Sequence, residues 1–387
     1  MILLSKNHLS SLWDVAGSII VFILGLGIAM QMCGYFKTTS NRAIILYLWH
    51  TLFCLLYIWF ITTYGGDAVA YYKNGLTRNL DFSLGTGAVT VLTSYLSSIF
   101  GLSFFATSLV YNIFGFIGLL AFDASLHFIT SQKNKAVCRF AEFIVFLPSI
   151  SFWSSGIGKD SLAFLSIGLV LWGALNVKKR VLIIIPAILI MLLVRPHIAG
   201  VLVFAFGFSM LLYSRISLLY RYAIGVLAIT AFVFLIPLGM NYTKTQNISN
   251  SKDIEKYIHT RALYNMQGGG GVDISNMPIP LQVVTYLFRP LPFEAKNVPF
   301  LVVSLENIVL LYLFIIGVNA IIKKRYRSSG ENRFFMWIYS LITLLMLSTT
   351  TANLGISVRQ KWMFTPMLIF LMISVIGKRQ VPRKSLT

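Results

Sequence analysis

Residues 299–321 read PFLVVSLENIVLLYLFIIGVNAI, and in that run only Glu306 is charged at neutral pH. About twenty apolar residues in a helix suffice to cross the hydrocarbon of a bilayer. Backbone inside lipid must satisfy its own N–H and C=O groups, which a helix does within the segment. The run ends on Lys323-Lys324-Arg325, a basic stop. Working outward from it, the same alternation of long apolar block and short basic stretch fills the chain.

The composition agrees. Of 387 residues 57% are hydrophobic and 11% charged, with a mean hydropathy of +0.78, whereas soluble domains carry about a quarter charged residues. The alternating ten-residue segments of a membrane β-barrel are missing. The expected fold is all-α, a polytopic transmembrane bundle forming a single integral membrane domain over 1–387. Eleven candidate spans fall at 14–34, 43–63, 103–123, 139–153, 162–176, 181–194, 198–214, 219–239, 299–321, 333–350 and 362–377. The first block is long and lacks a basic start and a small-residue cleavage site, so it reads as a span.

The net charge of +20 does not point to nucleic acid, because the bases are scattered over short loops. One set of loops, near 36–43, 126–140, 177–181, 215–221 and 322–333 with the tail from 378, carries 19 of the 32 Lys and Arg. The positive-inside rule places that side, and the C-terminus, in the cytoplasm. Eleven spans then put the N-terminus outside. Cys33, Cys54 and Cys138 show no paired spacing, which argues against a disulfide framework or a zinc site. Asp123 and Glu142, near cytoplasmic span ends, are expected to pair with Lys133, Lys135 or Arg139.

The opposite side carries the unusual residues. It comprises an external segment at 64–102, tips at 154–161 and 195–197, a long loop at 240–298 and a short loop at 351–361. Residues 87–101 read either as an amphipathic helix on the membrane face or as the frayed start of the third span. In YGGDAVAYYKNG (64–75), Asp67 suits a base, a metal ligand or a hydroxyl binder, and equally a helix cap. In LPSISFWSSGIGKDSLAFLSIG (147–168), Lys159 and Asp160 sit between two short apolar segments. The fragment lacks the full GxxxxGK[ST] phosphate loop, and its plain alternative is a solvated hairpin with a Lys–Asp pair. In LLVRPHIAG (192–200), Arg195 can grip a phosphate and His197 can carry a proton; a snorkelling Arg is the plain alternative.

The long loop holds a surface helix at 245–260, Arg261, the glycine run 268–271, Asp273, and then LFRPLPFEAKN (287–297) with Arg289, Glu294 and Lys296. The glycines suit a mobile flap or a simple link, and the prolines fix the presentation of Arg289. Glu306, about two turns into its span, costs ~2.5–3.5 kcal/mol there without a partner. Arg289 or Arg359 is the expected partner. NLGISVRQKW (353–362) adds Arg359 and Lys361 at the last external turn.

Through GGDAVAYY (65–72), FWSSGIGKDSLAF (152–164), VRPH (194–197), FRPLPFEAKN (288–297) with SLEN (304–307), and GISVRQKW (355–362), the chain resembles bacterial surface-polysaccharide membrane proteins. These are O-antigen (oligosaccharide repeat-unit) polymerases and the related GT-C-type glycosyltransferases with polyprenyl-linked donors. The resemblance implies an inner-membrane enzyme of O-antigen or capsule assembly that moves a glycan from undecaprenyl pyrophosphate onto a lipid-linked repeat unit at the periplasmic face. It implies no metal and no nucleotide sugar. A divalent metal enters only on the single-sugar alternative, which uses polyprenyl monophosphate sugars.

The implied partners are the undecaprenyl-linked oligosaccharide, the lipid bilayer, and chain-length regulator and flippase proteins. Nucleic acid is not among them. Arg195, Arg289 and Arg359 would bind pyrophosphate, assisted by Lys159 and Lys361, with Glu306 lining the substrate site. Asp67 or Asp160 would activate the acceptor hydroxyl, with His197 and Glu294 as further catalytic candidates. In the related transferases the basic Asp lies in the first large external loop. Asp67 follows the second span and not the first, which departs from that pattern. A transporter or flippase for the same lipid-linked glycan, or a structural subunit of an envelope complex, are the competing classes; the chain lacks the internal repeat that transporters often show.

Overall fold

The computed structural model describes residues 11–77, 81–213, 270–295, 297–323 and 332–377, with scattered positions between 219 and 266. Most of the predicted span at 219–239, residues 245–259 of the surface helix, Gly268 and Gly269 of the glycine run, Lys296 and the tail from 378 lie outside the described residues. The described chain is helical, with one isolated bridge between Gly271 and Asn353.

In chain order the helices are α1 (Leu12–Tyr35), α2 (Ser40–Tyr64), α3 (Asp67–Leu76), α4 (Thr86–Ser94, continued by a π turn at Tyr95–Ile99) and α5 (Phe104–Thr130). They continue with α6 (Lys135–Val145), α7 (Pro148–Ser154), α8 (Lys159–Ala174), α9 (Val177–Val194) and α10 (Pro196–Tyr213). Last come α11 (Ile279–Phe288), α12 (Val298–Ile322), α13 (Arg333–Thr350), α14 (Leu354–Gln360) and α15 (Thr365–Val375). Among the described residues six segments are long and apolar enough to cross a membrane: Leu12–Tyr35, Ser40–Tyr64, Phe104–Thr130, Lys135–Ser154, Val298–Ile322 and Arg333–Thr350. The other predicted positions in the described chain carry α8, α9, α10 and α15, which are not both long and apolar enough, so helix length and composition support a multi-pass protein but not a count of eleven.

One predicted span gains a break, and one open reading is decided. The predicted span 139–153 is broken into α6 and α7: Pro148 has no N–H to donate, and Leu147 before it is extended (φ −60°, ψ 125°). Residues 86–99 are a helix of their own, because Ser103 caps α5 by accepting from Ala106 N at 3.2 Å.

The core is α5 against α8. A Cβ on Gly118 would meet Phe164 O at 2.6 Å, and one on Gly168 would meet Gly118 O at 2.4 Å. The two backbones therefore approach as only glycine permits, the small-residue packing that joins helices in lipid. Tyr47 and Phe116 fill the space between α2 and α5 with an edge contact at 5.2 Å.

At one end of the bundle, polar groups close helix C-termini. Lys133 Nζ donates to Ile373 O, Ser374 O and Ile376 O at 2.6, 2.7 and 2.6 Å. Arg180 donates to Trp172 O at 2.7 Å and Asn332 to Ala174 O at 2.8 Å. The last carbonyls of a helix have no internal partner and carry partial negative charge, which cations complement. Asp123 pairs there with Arg42 at 2.6 Å, not with Lys133, Lys135 or Arg139 as expected, because the start of α2 lies beside the end of α5. The other end gathers the end of α2, the starts of α3, α8 and α10, the end of α9, and α14.

Candidate functional site

Gly65 (φ +79°) ends α2 in a left-handed turn that favours glycine, and Asp67 then opens α3. Asp160 opens α8, Arg195 is the single residue between α9 and α10, and Arg359 lies in the last turn of α14. These four meet. Arg195 donates to Asp160 Oδ1 at 2.7 Å, Arg359 Nε donates to Asp160 Oδ2, and both terminal nitrogens of Arg359 reach Asp67 Oδ2 at 3.2 Å. Along this chain side-chain exposure climbs from 9% at Arg195 and 12% at Asp160 to 27% at Arg359 and 62% at Asp67. One end is thus shut in the bundle and the other is open.

Burial would raise the Asp160 pKa, but Arg359 and Arg195 outweigh it and hold the carboxyl below its ordinary range. Asp160 in turn pushes Arg359 further up. Asp160 is therefore an anion that positions two guanidinium groups and is a poor proton acceptor. It is not the partner of Lys159 in a solvated hairpin: Lys159 Nζ reaches Thr86 Oγ1 at 2.9 Å, and Gly85 N donates to Leu193 O at 2.7 Å. Among the described residues, the buried Arg195 Nε and the buried Tyr286 hydroxyl on α11 meet no hydrogen-bond partner. Such orphaned donors each cost roughly 1–3 kcal/mol unless something accepts from them. His197, in the first turn of α10, has Arg195, Arg261 and Lys159 as charged neighbours.

The remaining candidates are placed otherwise. Arg289 pairs with Glu294, whose other oxygen accepts from Leu291 N at 2.7 Å. Burial would raise the Glu294 pKa; Arg289 and Leu291 N–H bring it below the ordinary value. Arg289 does not join the other two arginines. Pro290 O accepts from Asn307 at 3.0 Å, and Asn307 Oδ1 accepts from Lys361 Nζ at 2.5 Å. Lys361 is fully buried, and burial lowers its pKa against the pull of Glu306.

Glu306 does not pair with Arg289 or Arg359. Its Oε1 accepts from Ser149 N at 2.8 Å and its Oε2 from the Ser149 hydroxyl. It therefore caps the start of α7, where unpaired N–H groups favour an anion. Trp362 Nε1 completes the contact on Ser149 Oγ at 3.2 Å. The glycine run ends as a strap: Leu354 N donates to Gly270 O at 2.8 Å and Val272 N to Ala352 O at 2.9 Å, against the start of the helix that carries Arg359.

Sequence reasoning passed over His50. It is fully buried on α2, with Nδ1 2.6 Å from Asn112 Oδ1 and Nε2 3.0 Å from Ser154 Oγ. An ionisable ring at the centre of the run AIILYLWHTLFCLLYIWF (43–60) was the available signal. Ser154 also lines a small cavity with Trp153, Asp160, Phe164, Arg359, Trp362 and Met363. Among the described residues no group of three or more His, Cys, Asp or Glu forms a metal site. Comparison with protein-family models, curated proteins and solved structures returned no match.

Proposed function

We propose that this protein is a membrane glycosyltransferase of the repeat-unit polymerase type. It would act on undecaprenyl-pyrophosphate-linked saccharides at the periplasmic face of a bacterial inner membrane, in O-antigen or capsule synthesis. The observation that carries this reading is the chain Arg195–Asp160–Arg359–Asp67, which joins four segments at one end of an apolar bundle. A substrate with a long apolar tail and an anionic head needs both surfaces. As the sugar–phosphate bond breaks, negative charge grows on the departing pyrophosphate. Guanidinium groups already fixed in place stabilise it without rearranging.

On this reading Arg195 and Arg359 hold the phosphates with Lys159 beside them, and Asp160 fixes the two arginines. Asp67 is open to the aqueous side. Arg289 with Glu294, and Lys361 with Glu306, shape the surroundings and do not bind the head group. The shorter helices complete about eleven passes, with the Lys178-Lys179-Arg180 end and the C-terminus in the cytoplasm. Chain-length regulator and flippase proteins are the expected partners, and no cofactor is required. The single-sugar alternative would bring in a divalent metal.

Surface-glycan gels of strains carrying Arg195→Met or Arg359→Met should lose long chains at normal protein level, while Arg289→Met should lose them only in part. Unaltered ladders in both of the first two variants would refute the reading. A second reading, transport of the lipid-linked glycan, is favoured by one feature: Glu306 and Lys361, ionisable and buried within the bundle. Glycan-loaded vesicles separate the two, since transport moves substrate without lengthening it.

A further inference from the structure

The His50 cluster has a direction. Asn112 Nδ2 donates to Thr51 Oγ1 at 2.9 Å, so the amide oxygen faces the ring and accepts from Nδ1–H. The free lone pair of the imidazole is then on Nε2, 3.0 Å from the Ser154 hydroxyl. The Ser154 proton has one other acceptor, Ile150 O at 2.6 Å, and can turn between the two. Among the described residues no Asp, Glu, Lys or Arg bonds to the ring, so Asn112 alone sets its tautomer, as a third residue does in Ser–His triads.

Ser154 also lines the cavity that Asp160 and Arg359 border, together with Trp153 and Trp362. About 10 Å³ is free there, the room of one water-sized group such as a hydroxyl. Asp160 is a poor base for that hydroxyl, because its two oxygens already accept from Arg195 and Arg359.

We infer that Ser154 and His50 form an internal proton relay for a hydroxyl seated in this cavity. It rests on the transferase reading and deepens it: the acceptor's proton leaves inward, and Asp67 serves to hold Arg359. In the step, the acceptor oxygen bonds to the anomeric carbon of the lipid-linked donor as the bond from that carbon to the phosphate oxygen breaks. The bonding pair leaves with the pyrophosphate. The acceptor proton passes to Ser154 Oγ, the Ser154 proton passes to His50 Nε2, and the imidazole becomes imidazolium against Asn112 Oδ1. Asn112 is a positioning residue.

The test uses the full chain in nanodiscs with a synthetic undecaprenyl-pyrophosphoryl oligosaccharide, turnover being followed from pH 5 to 9. His50→Gln keeps an amide for hydrogen bonding but cannot take a proton. It and Ser154→Ala should lose about 100-fold or more in turnover, with the melting temperature of His50→Gln close to that of the parent. Asn112→Asp puts a carboxylate beside Nδ1 and should move the acid limb of the profile to higher pH, which a packing role would not do. If Ser154→Ala fails to fold, His50→Gln decides. Parental turnover and an unchanged profile in His50→Gln, in preparations where Arg359→Met is inactive, would overturn the relay. Equal turnover of Arg359→Met and the parent would instead sink the arginine site.

Discussion

Replacing Asp160 by Asn keeps the shape of the side chain and removes the charge that Arg195 and Arg359 share. Unit charges about 4 Å apart interact by ~4 kcal/mol at an effective dielectric near 20, so the gross loss over two arginines is ~8 kcal/mol. Part returns, because Arg359 keeps Asp67 and is 27% exposed, and because the Asn oxygen still accepts one hydrogen bond. Arg195 keeps nothing: its side chain is 9% exposed and Asp160 is its one ion pair among the described residues. Stranding a buried charge costs ~3–5 kcal/mol, and that is the net loss expected. At roughly 2 °C or more per kcal/mol, the melting temperature in detergent should fall by about 6 °C or more. Asp160→Asn with Arg195→Met should recover most of it, since no buried cation is then left alone. A single variant melting within about 1 °C of the parent would refute the claim that Asp160 holds the cluster.

Three further outcomes follow from other parts of the bundle. Because Asp160 is held below its ordinary pKa, the stability it adds is complete above pH ~4 and is lost as pH falls through the depressed value. Melting temperature should therefore be level from pH 7 to 5 and drop below ~4, and the drop should shrink in Asp160→Asn. Glu306→Ala leaves the Ser149 N–H and hydroxyl at the start of α7 without their acceptor and should destabilise by ~1–3 kcal/mol, read from unfolding in denaturant. Lys133→Met uncovers the carbonyls at Ile373, Ser374 and Ile376 and should speed hydrogen exchange over 370–377 while leaving α8 unchanged.

The helices were legible because apolar runs in lipid allow little else, and Arg195, Asp160 and Arg359 stood out as charges at the turns of apolar segments. Their pairing was not legible. Arg359 and Asp67 lie 292 positions apart, and a ladder of charges along a sequence does not say which helix ends are neighbours. The same gap misassigned Asp123, whose partner Arg42 lies 81 positions away while nearer bases stood in its own loop. Glu306 was read as needing a cation, whereas a helix N-terminus meets the same electrostatic need with backbone N–H groups. The break at 146–147 was written in the sequence by Pro148, and hydropathy averaged over it. His50 was hidden by its setting, since one ring amid aliphatic and aromatic side chains barely changes the hydropathy of its span.

The most direct test of the central claim is equilibrium binding of undecaprenyl pyrophosphate to the purified protein in nanodiscs, with undecaprenol as the tail-only control. The account predicts that the pyrophosphate lipid binds more tightly than undecaprenol, and that Arg195→Met and Arg359→Met each remove that preference by about tenfold or more. Equal affinity for the two lipids, unaltered by either variant, would contradict it.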